Sequence, residues 1–383
     1  MRKLLGAAAC AAILTGSAVI APAGRAEAGP APRVERVSTA ADGAQLDGTS
    51  RSATLSADGR YAAFWIKEPD GYFHQLMLKD LVTGALTRVP GGVSYGTHAT
   101  ALSADGRYLG FGAGTYRDRP RLYDRVTGEV REVWPQQGAG GFEYGSVTSL
   151  SADGRYAAMV LWNRNGNSPD AVFVRDLVTG ADERISPSDM PGRTPYATGG
   201  GMSTDGRYVA FGVVQRTQDV PDPADVFVRD RATGEVRQID VTHDGAPADG
   251  PSRPVAMSAG GRYVFFHSSA GNLLPEPATG EWGYVRDLRT GGTERVGAEG
   301  DRIAAVSGDG RRVLLARGGG LRLLDRNSGA ETVVAAEGTA VPGAFGARGR
   351  AVLFSSAAAD LVPGDTNGVS DVFAYRARGH QRG

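Results

Sequence analysis

Cysteine is almost absent: Cys10 is the only one in the chain. No internal disulfide can form, and zinc sites built on thiolates are excluded with it. Lysine is nearly as scarce. Beyond the first three residues only Lys67 and Lys79 occur, so arginine supplies almost all positive charge. That charge is balanced, 42 basic against 42 acidic side chains, which argues against nucleic acid or an anionic membrane as a general partner. The five histidines are scattered without His-x-x-x-His spacing, so no zinc motif is present. There is no Walker loop, no dinucleotide fingerprint, and no sustained 3.6-residue periodicity beyond the leader.

A long apolar run occurs only at the start. Arg2 and Lys3 precede an apolar stretch over residues 4–20, and Ala26-Glu27-Ala28 supplies a small-x-small site. This pattern predicts a signal peptide over residues 1–28, cleaved after Ala28. Gly6, Gly16, Ser17 and Pro22 weaken the stretch as a membrane span, and Ala7-Ala8-Ala9 before Cys10 lacks the large aliphatic residue of a lipoprotein site. The expected mature chain is secreted or extracytoplasmic and has no membrane span. It carries 39 basic and 41 acidic side chains, a net charge of −2. About 355 residues without disulfides must be held by an ordinary hydrophobic core, which that length can supply.

What dominates the rest is repetition. Ser56-Ala57-Asp58-Gly59-Arg60-Tyr61-Ala62-Ala63-Phe64 returns at Ser103, Ser151, Ser203, Ser258 (with Gly260 in place of Asp) and Ser307, and in worn form at Gly346. The spacings are 47, 48, 52, 55, 49 and 39 residues, close to the length of one propeller blade. A second phrase, an apolar run followed by Asp-x-x-Thr/Ser-Gly, follows each of the first six copies, from Asp80/Gly84 to Asp325/Gly329.

Each repeat therefore reads as four strands; in the third they are residues 145–151, 155–161, 171–175 and 182–186. Asp-Gly between apolar segments marks a hairpin whose glycine takes positive φ, and the Asp of the second phrase caps the next turn. Segments such as Ala171-Val172-Phe173-Val174 are apolar on both faces, as a sheet sandwiched between two neighbours requires. The last repeat stops at its third strand, residues 371–376, whereas Val34-Glu35-Arg36-Val37-Ser38 resembles an outer strand. The predicted fold is all-β: a seven-bladed β-propeller of four-stranded antiparallel blades over residues 29–377, its ring closed by the N-terminal strand completing the C-terminal blade. A short basic tail, residues 378–383, follows.

The Ser-x-Asp-Gly-Arg-Tyr-x-x-Phe and Asp-Val-Phe-Val-Arg-Asp phrases resemble TolB-like β-propeller repeats, relatives of the WD-repeat propellers, over residues 33–377. The Gly-His and Trp-Asp dipeptides of WD repeats are absent. The resemblance implies the propeller and little about activity, because the fold hosts scaffolds, lyases and hydrolase gates alike.

Tight turns occupy one face of this disc and long loops the other, and elaborated loops on a rigid scaffold are where function concentrates. Counting five residues back from each motif Ser places Arg51, His98, Arg253 and Arg302 around the channel mouth, a set suited to a carboxylate or phosphate. Tyr95, Tyr144 and Tyr196 precede three of these strands and are positioned to stack on a ligand. The repeated arginines from Arg60 to Arg350 and the Asp of the second phrase read as structural. Gly92-Val93-Ser94-Tyr95-Gly96, with His98 nearby, matches the serine-hydrolase pattern but lacks its strand-to-helix setting. Asp365, Asn367 and Asp371 have oxygen ligands spaced like a calcium loop, without the downstream Glu; a polar turn is the first reading, calcium the weaker one, and no other cofactor is expected. Together these features predict a monomeric, non-catalytic binding or scaffold protein that engages a protein, peptide or glycan through its long-loop face. The alternatives are a polysaccharide lyase with its site in the central funnel, and an accessory propeller for a separate enzyme chain.

Overall fold

The computed structural model describes residues 33–113, 119–136, 142–162, 171–188, 195–215, 224–347 and 349–377, the side chains of residues 195–198 and 214–215 excepted. The expected signal peptide and the basic tail lie outside them. Among these residues, twenty-seven strands form seven antiparallel sheets arranged in chain order. The third is representative, with Tyr144–Leu150 innermost, then Tyr156–Trp162, Ala171–Asp176 and Asp182–Arg184 at the rim. No helix among the described residues is long and apolar enough to cross a membrane.

The two repeated phrases turn out to form one device. In blade one the Ser56 hydroxyl donates to Asp58 (2.5 Å) and accepts from the Tyr61 amide (2.9 Å), while Asp58 accepts from the Arg60 amide. Gly59 closes the turn at φ 78°, a conformation only glycine adopts freely. Arg60 then reaches across to Asp80, the Asp of the second phrase, at 2.8 Å, and Asp80 caps the amides of Val82 and Thr83. The same pair recurs as Arg107–Asp124, Arg155–Asp176, Arg207–Asp230, Arg262–Asp287 and Arg311–Asp325. The guanidinium beside Asp80, Asp176 and Asp287 holds each carboxyl far below the usual carboxylate range. These arginines are thus bound within their own blades.

Packing between blades follows from the period of two along each strand. In Tyr61–Lys67, Ala62, Phe64 and Ile66 face the last blades, whereas Tyr61, Ala63 and Trp65 pack against Leu109 and Phe111 of blade two. Each motif tyrosine lies under the turn glycine of the next blade. A Cβ on Gly106, Gly154, Gly206 or Gly261 would stand 2.3–2.5 Å from the ring of Tyr61, Tyr108, Tyr156 or Tyr208. Where blade six has Arg312 instead, its guanidinium donates to the Gly349 carbonyl at 2.8 Å. Gly154→Ala therefore combines a clash with an unfavourable φ of 71°. It should lower stability by about 2–4 kcal/mol in a denaturant titration, against about 1 kcal/mol or less for Gly128→Ala, whose φ is similar but whose surroundings are open.

Ring closure follows the expected route. Arg33–Arg36 pairs antiparallel with Asp371–Arg376, which pairs in turn with Ala351–Ser356. Val37 is buried, and the Ser38 hydroxyl donates to Asp371 (2.6 Å) while accepting from the Val372 amide (3.0 Å). Lys79 of blade one donates to the Thr39 and Ala40 carbonyls at 2.7 and 2.9 Å, fixing the continuing chain. Three continuous strands make up the sheet of this blade. Its innermost position is taken by residues 338–346, joined only through the bridges Thr339–Ser355 and Phe345–Val352. Pro342, which has no amide hydrogen, and Gly343 at φ 89° turn the segment between those bridges.

Candidate functional site

The inner strands surround an axial cavity of about 470 Å³. At its tight-turn end, the residues following the motif Ser are linked blade to blade by main-chain hydrogen bonds: Ala347 to Ala57, Ala104 to Ala152, Ala152 to Thr204, Thr204 to Ala259 and Ala259 to Gly308, at 2.7–3.0 Å. Small residues at these positions let the backbones approach. The wall above is apolar and hydroxyl-bearing, with Thr54, Thr100, Thr148, Ser149, Met202 and Met257 among its residues. His98 is the one titratable side chain among the described residues lining it.

Of the basic residues expected at the channel mouth, only His98 is on the cavity wall. Arg51, Arg253 and Arg302 are absent from the cavity wall, although they occupy the aligned positions. The inner strands of blades one, three, four, five and six each carry a β-bulge between that position and the motif Ser. One extra residue turns every side chain before it to the opposite face. The bulge residues Ser52, Thr148 and Val255 line the cavity instead. His98 and Val341, from the two inner segments without a recorded bulge, keep their expected place.

Arg253 and Arg302, on neighbouring blades, both bind Glu281, Arg302 at 3.7 Å. Beside them His267 is buried, its Nε2 accepting from the Ile303 amide at 2.8 Å. Burial, reinforced by the two arginines, pushes its pKa down to about 4, so it is neutral near pH 7. Glu281 went unrecognised in the sequence because it comes from a loop outside the repeated phrases, and His267 because it sits on the strand Tyr263–Ser268 just past the end of its repeat.

On the junction of blades one and two, His98 is held by Ser94 (Oγ to Nε2, 2.7 Å) and lies edge-on to Trp65, whose indole N–H donates to the His98 carbonyl at 3.0 Å. Ser94 is buried at the end of the outer strand Leu86–Ser94. The serine-hydrolase pattern therefore occupies a strand end and loop rather than a nucleophile elbow. Tyr95 packs on Phe73 at 4.7 Å and is 55 % exposed. Tyr144 stacks on Trp162 with nearly parallel rings. The side chain of Tyr196 lies outside the described residues. The oxygens of the calcium candidate face protein donors: Arg36 contacts Asp365 and Asp371 at 3.2 and 3.5 Å, and Gln45 donates to both. Asn367 donates to the Leu46 carbonyl. These contacts tie Asp365, Asn367 and Asp371 to the N-terminal segment that closes the ring.

No protein-family model matches the sequence, nor does any of the curated proteins compared with it. Solved structures do match. An oligogalacturonate lyase in complex with manganese aligns at TM-score 0.64 with 16% identity, over 90% of this chain and 92% of that one. A second oligogalacturonate lyase, from Vibrio parahaemolyticus, aligns at 0.62 with 15% identity, over 90% and 93%. The β-propeller domain of the Trilobed protease from Pyrococcus furiosus, described as having an open velcro topology, aligns at 0.56 with 10% identity, over 86% and 95%. At such identities the likeness concerns the fold, and the chain is a seven-bladed, all-β propeller whose ring its N-terminal strand closes.

Proposed function

We propose that this chain is an exported, non-catalytic binding protein that takes an extended, uncharged segment of a partner protein into its axial cavity from the long-loop face. The observation that carries this reading is the cavity wall. It combines apolar side chains, hydroxyls and inner-strand backbone, and the described lining residues include no carboxylate, lysine or arginine. Such a wall desolvates an uncharged chain at little cost and offers it hydrogen bonds, whereas a buried charge would find no counter-ion.

A polysaccharide lyase is the rival, suggested by the shape shared with oligogalacturonate lyase. Acidic-sugar chemistry needs cations for the uronate carboxylates and a base converging on one carbon. Here Arg51, Arg253 and Arg302 do not line the cavity, and the described residues contain no group of three His, Cys, Asp or Glu side chains able to hold a metal ion. The manganese of that lyase thus has no fitting donor set among them.

Ser149 is half-buried on the cavity wall, and Ser149→Arg places a charge where the segment would run. Peptides selected from a random display library on the intact protein should lose at least about a hundredfold in affinity to this variant while its melting temperature stays within a few degrees. Release of unsaturated product from oligogalacturonate, abolished by His98→Ala, would instead establish the lyase.

A further inference from the structure

We infer that the rim sector formed by Arg51, Lys67, His74, Tyr72, Phe73 and Tyr95 binds acidic residues flanking the uncharged segment, so that the partner is a peptide with an Asp/Glu-bearing stretch beside its buried part. This rests on the cavity reading above and adds the chemistry of the partner's flank.

Three independent features converge there. The first is unbalanced charge. Arg51 and Lys67 are exposed, and no carboxylate lies within ion-pair distance of either among the described residues. On the opposite side of the ring, Arg253 and Arg302 share Glu281. The nearby acids are Glu68, which is drawn to Arg88 at 3.6 Å, and Asp70 in the same loop. The second feature is aromatic surface. Tyr72 is 82 % exposed and Tyr95 55 %, the only aromatic residues among the large exposed hydrophobics of the described residues, and Phe73 joins them at ring distances of 6.4 and 4.7 Å. Exposed rings beside cations offer apolar contact to a peptide backbone without supplying a competing negative charge. The third is placement. His74 bonds the Tyr95 carbonyl at 3.2 Å and lies within electrostatic reach of Arg51, Lys67 and His98. Since Thr97 and His98 belong to the cavity wall, a chain leaving the cavity at blades one and two crosses this sector next.

The test is display selection on the full chain, followed by titration of the selected synthetic peptides against wild type, Arg51→Gln/Lys67→Gln and Ser149→Arg. The expected peptides carry Asp or Glu next to an uncharged run. They lose at least about tenfold in the double variant, with a weaker salt dependence, and lose binding in Ser149→Arg. Peptides that need the cavity yet bind the double variant normally would overturn the inference while leaving the cavity reading intact. Acidic peptides that depend on Arg51 and Lys67 but ignore Ser149→Arg would overturn the cavity reading. Selection of basic or wholly neutral flanks, or equal capture of oligogalacturonate through the same two cations, would refute a peptide-specific sector. Both side chains are exposed, so an unchanged melting curve verifies folding in each case.

Discussion

Deleting residues 33–38 is expected to lower the melting temperature of the entire domain by more than about 10 °C, rather than fray one end. The segment contributes the rim strand of the last blade, buried Val37, and Ser38, whose hydroxyl joins Asp371 to the Val372 amide. Burial of Val37 contributes about 1.5–3 kcal/mol and the part-buried Val34 less, and the lost main-chain and hydroxyl hydrogen bonds add about 1 kcal/mol apiece. A loss of that size corresponds to a shift of about 10–20 °C for a domain of this length. The newly exposed edge at Asp371–Arg376 should also promote association, visible in light scattering. Should the deletion fail to accumulate, Val37→Ser is the milder probe and is expected to shift the melt by about 5 °C. Unchanged melting in both variants would mean that the ring is held without this strand.

Asp240→Asn should gain stability relative to wild type as pH rises from 4 to 8. Asp240 is fully buried; its Oδ1 accepts from the Val226 amide at 3.0 Å, and Ser252 and Gln238 face its carboxyl group. Burial, with Asp225 adding repulsion, pushes its pKa up to about 7. A raised carboxyl pKa means that the folded state holds a proton the unfolded chain has released. Wild-type stability therefore falls as pH climbs from the unfolded value near 4 through 7, by on the order of 4 kcal/mol. The asparagine variant lacks this dependence. Denaturant titrations at pH 4, 6 and 8 should show the difference between the proteins growing in the variant's favour. His267 has the opposite sign: its depressed pKa costs stability as pH falls from about 6.5 towards 4. Parallel pH profiles for Asp240→Asn and wild type would show that Asp240 carries no proton in the folded protein.

Much of the fold was legible because its determinants are local. A Ser that bonds an amide five residues on, a glycine at positive φ and an Asp that caps its own turn leave the same letters in most blades, and in worn form in the last. The closure was legible for the same reason, since residues 34–38 repeat an outer-strand pattern. The repeated arginines read as structural from their position alone, but their bond to the Asp of the second phrase is a contact across a hairpin that spacing does not reveal. The site was less legible. Counting back from the motif Ser assumed an unbroken strand, and one bulge residue in each of five blades, Ser52 or Val255 for instance, reverses which side chain faces the axis. Glu281, which engages Arg253 and Arg302, lies in a loop with no counterpart in the other blades. The spacing of Asp365, Asn367 and Asp371 read as a polar turn first and a calcium loop second, and it could not show their contact with Arg36, more than 300 residues away in sequence.

The most direct measurement of the account's central claim is hydrogen exchange by mass spectrometry on the full chain, with and without a selected peptide. The cavity reading predicts slowed exchange in the inner-strand segments around residues 100–102, 148–150, 199–202 and 255–257, together with the rim loops near residues 72 and 95. The tight turns around Asp58 and Asp153 should be unchanged. Protection confined to those turns, with the inner strands exchanging as in the free protein, would contradict it.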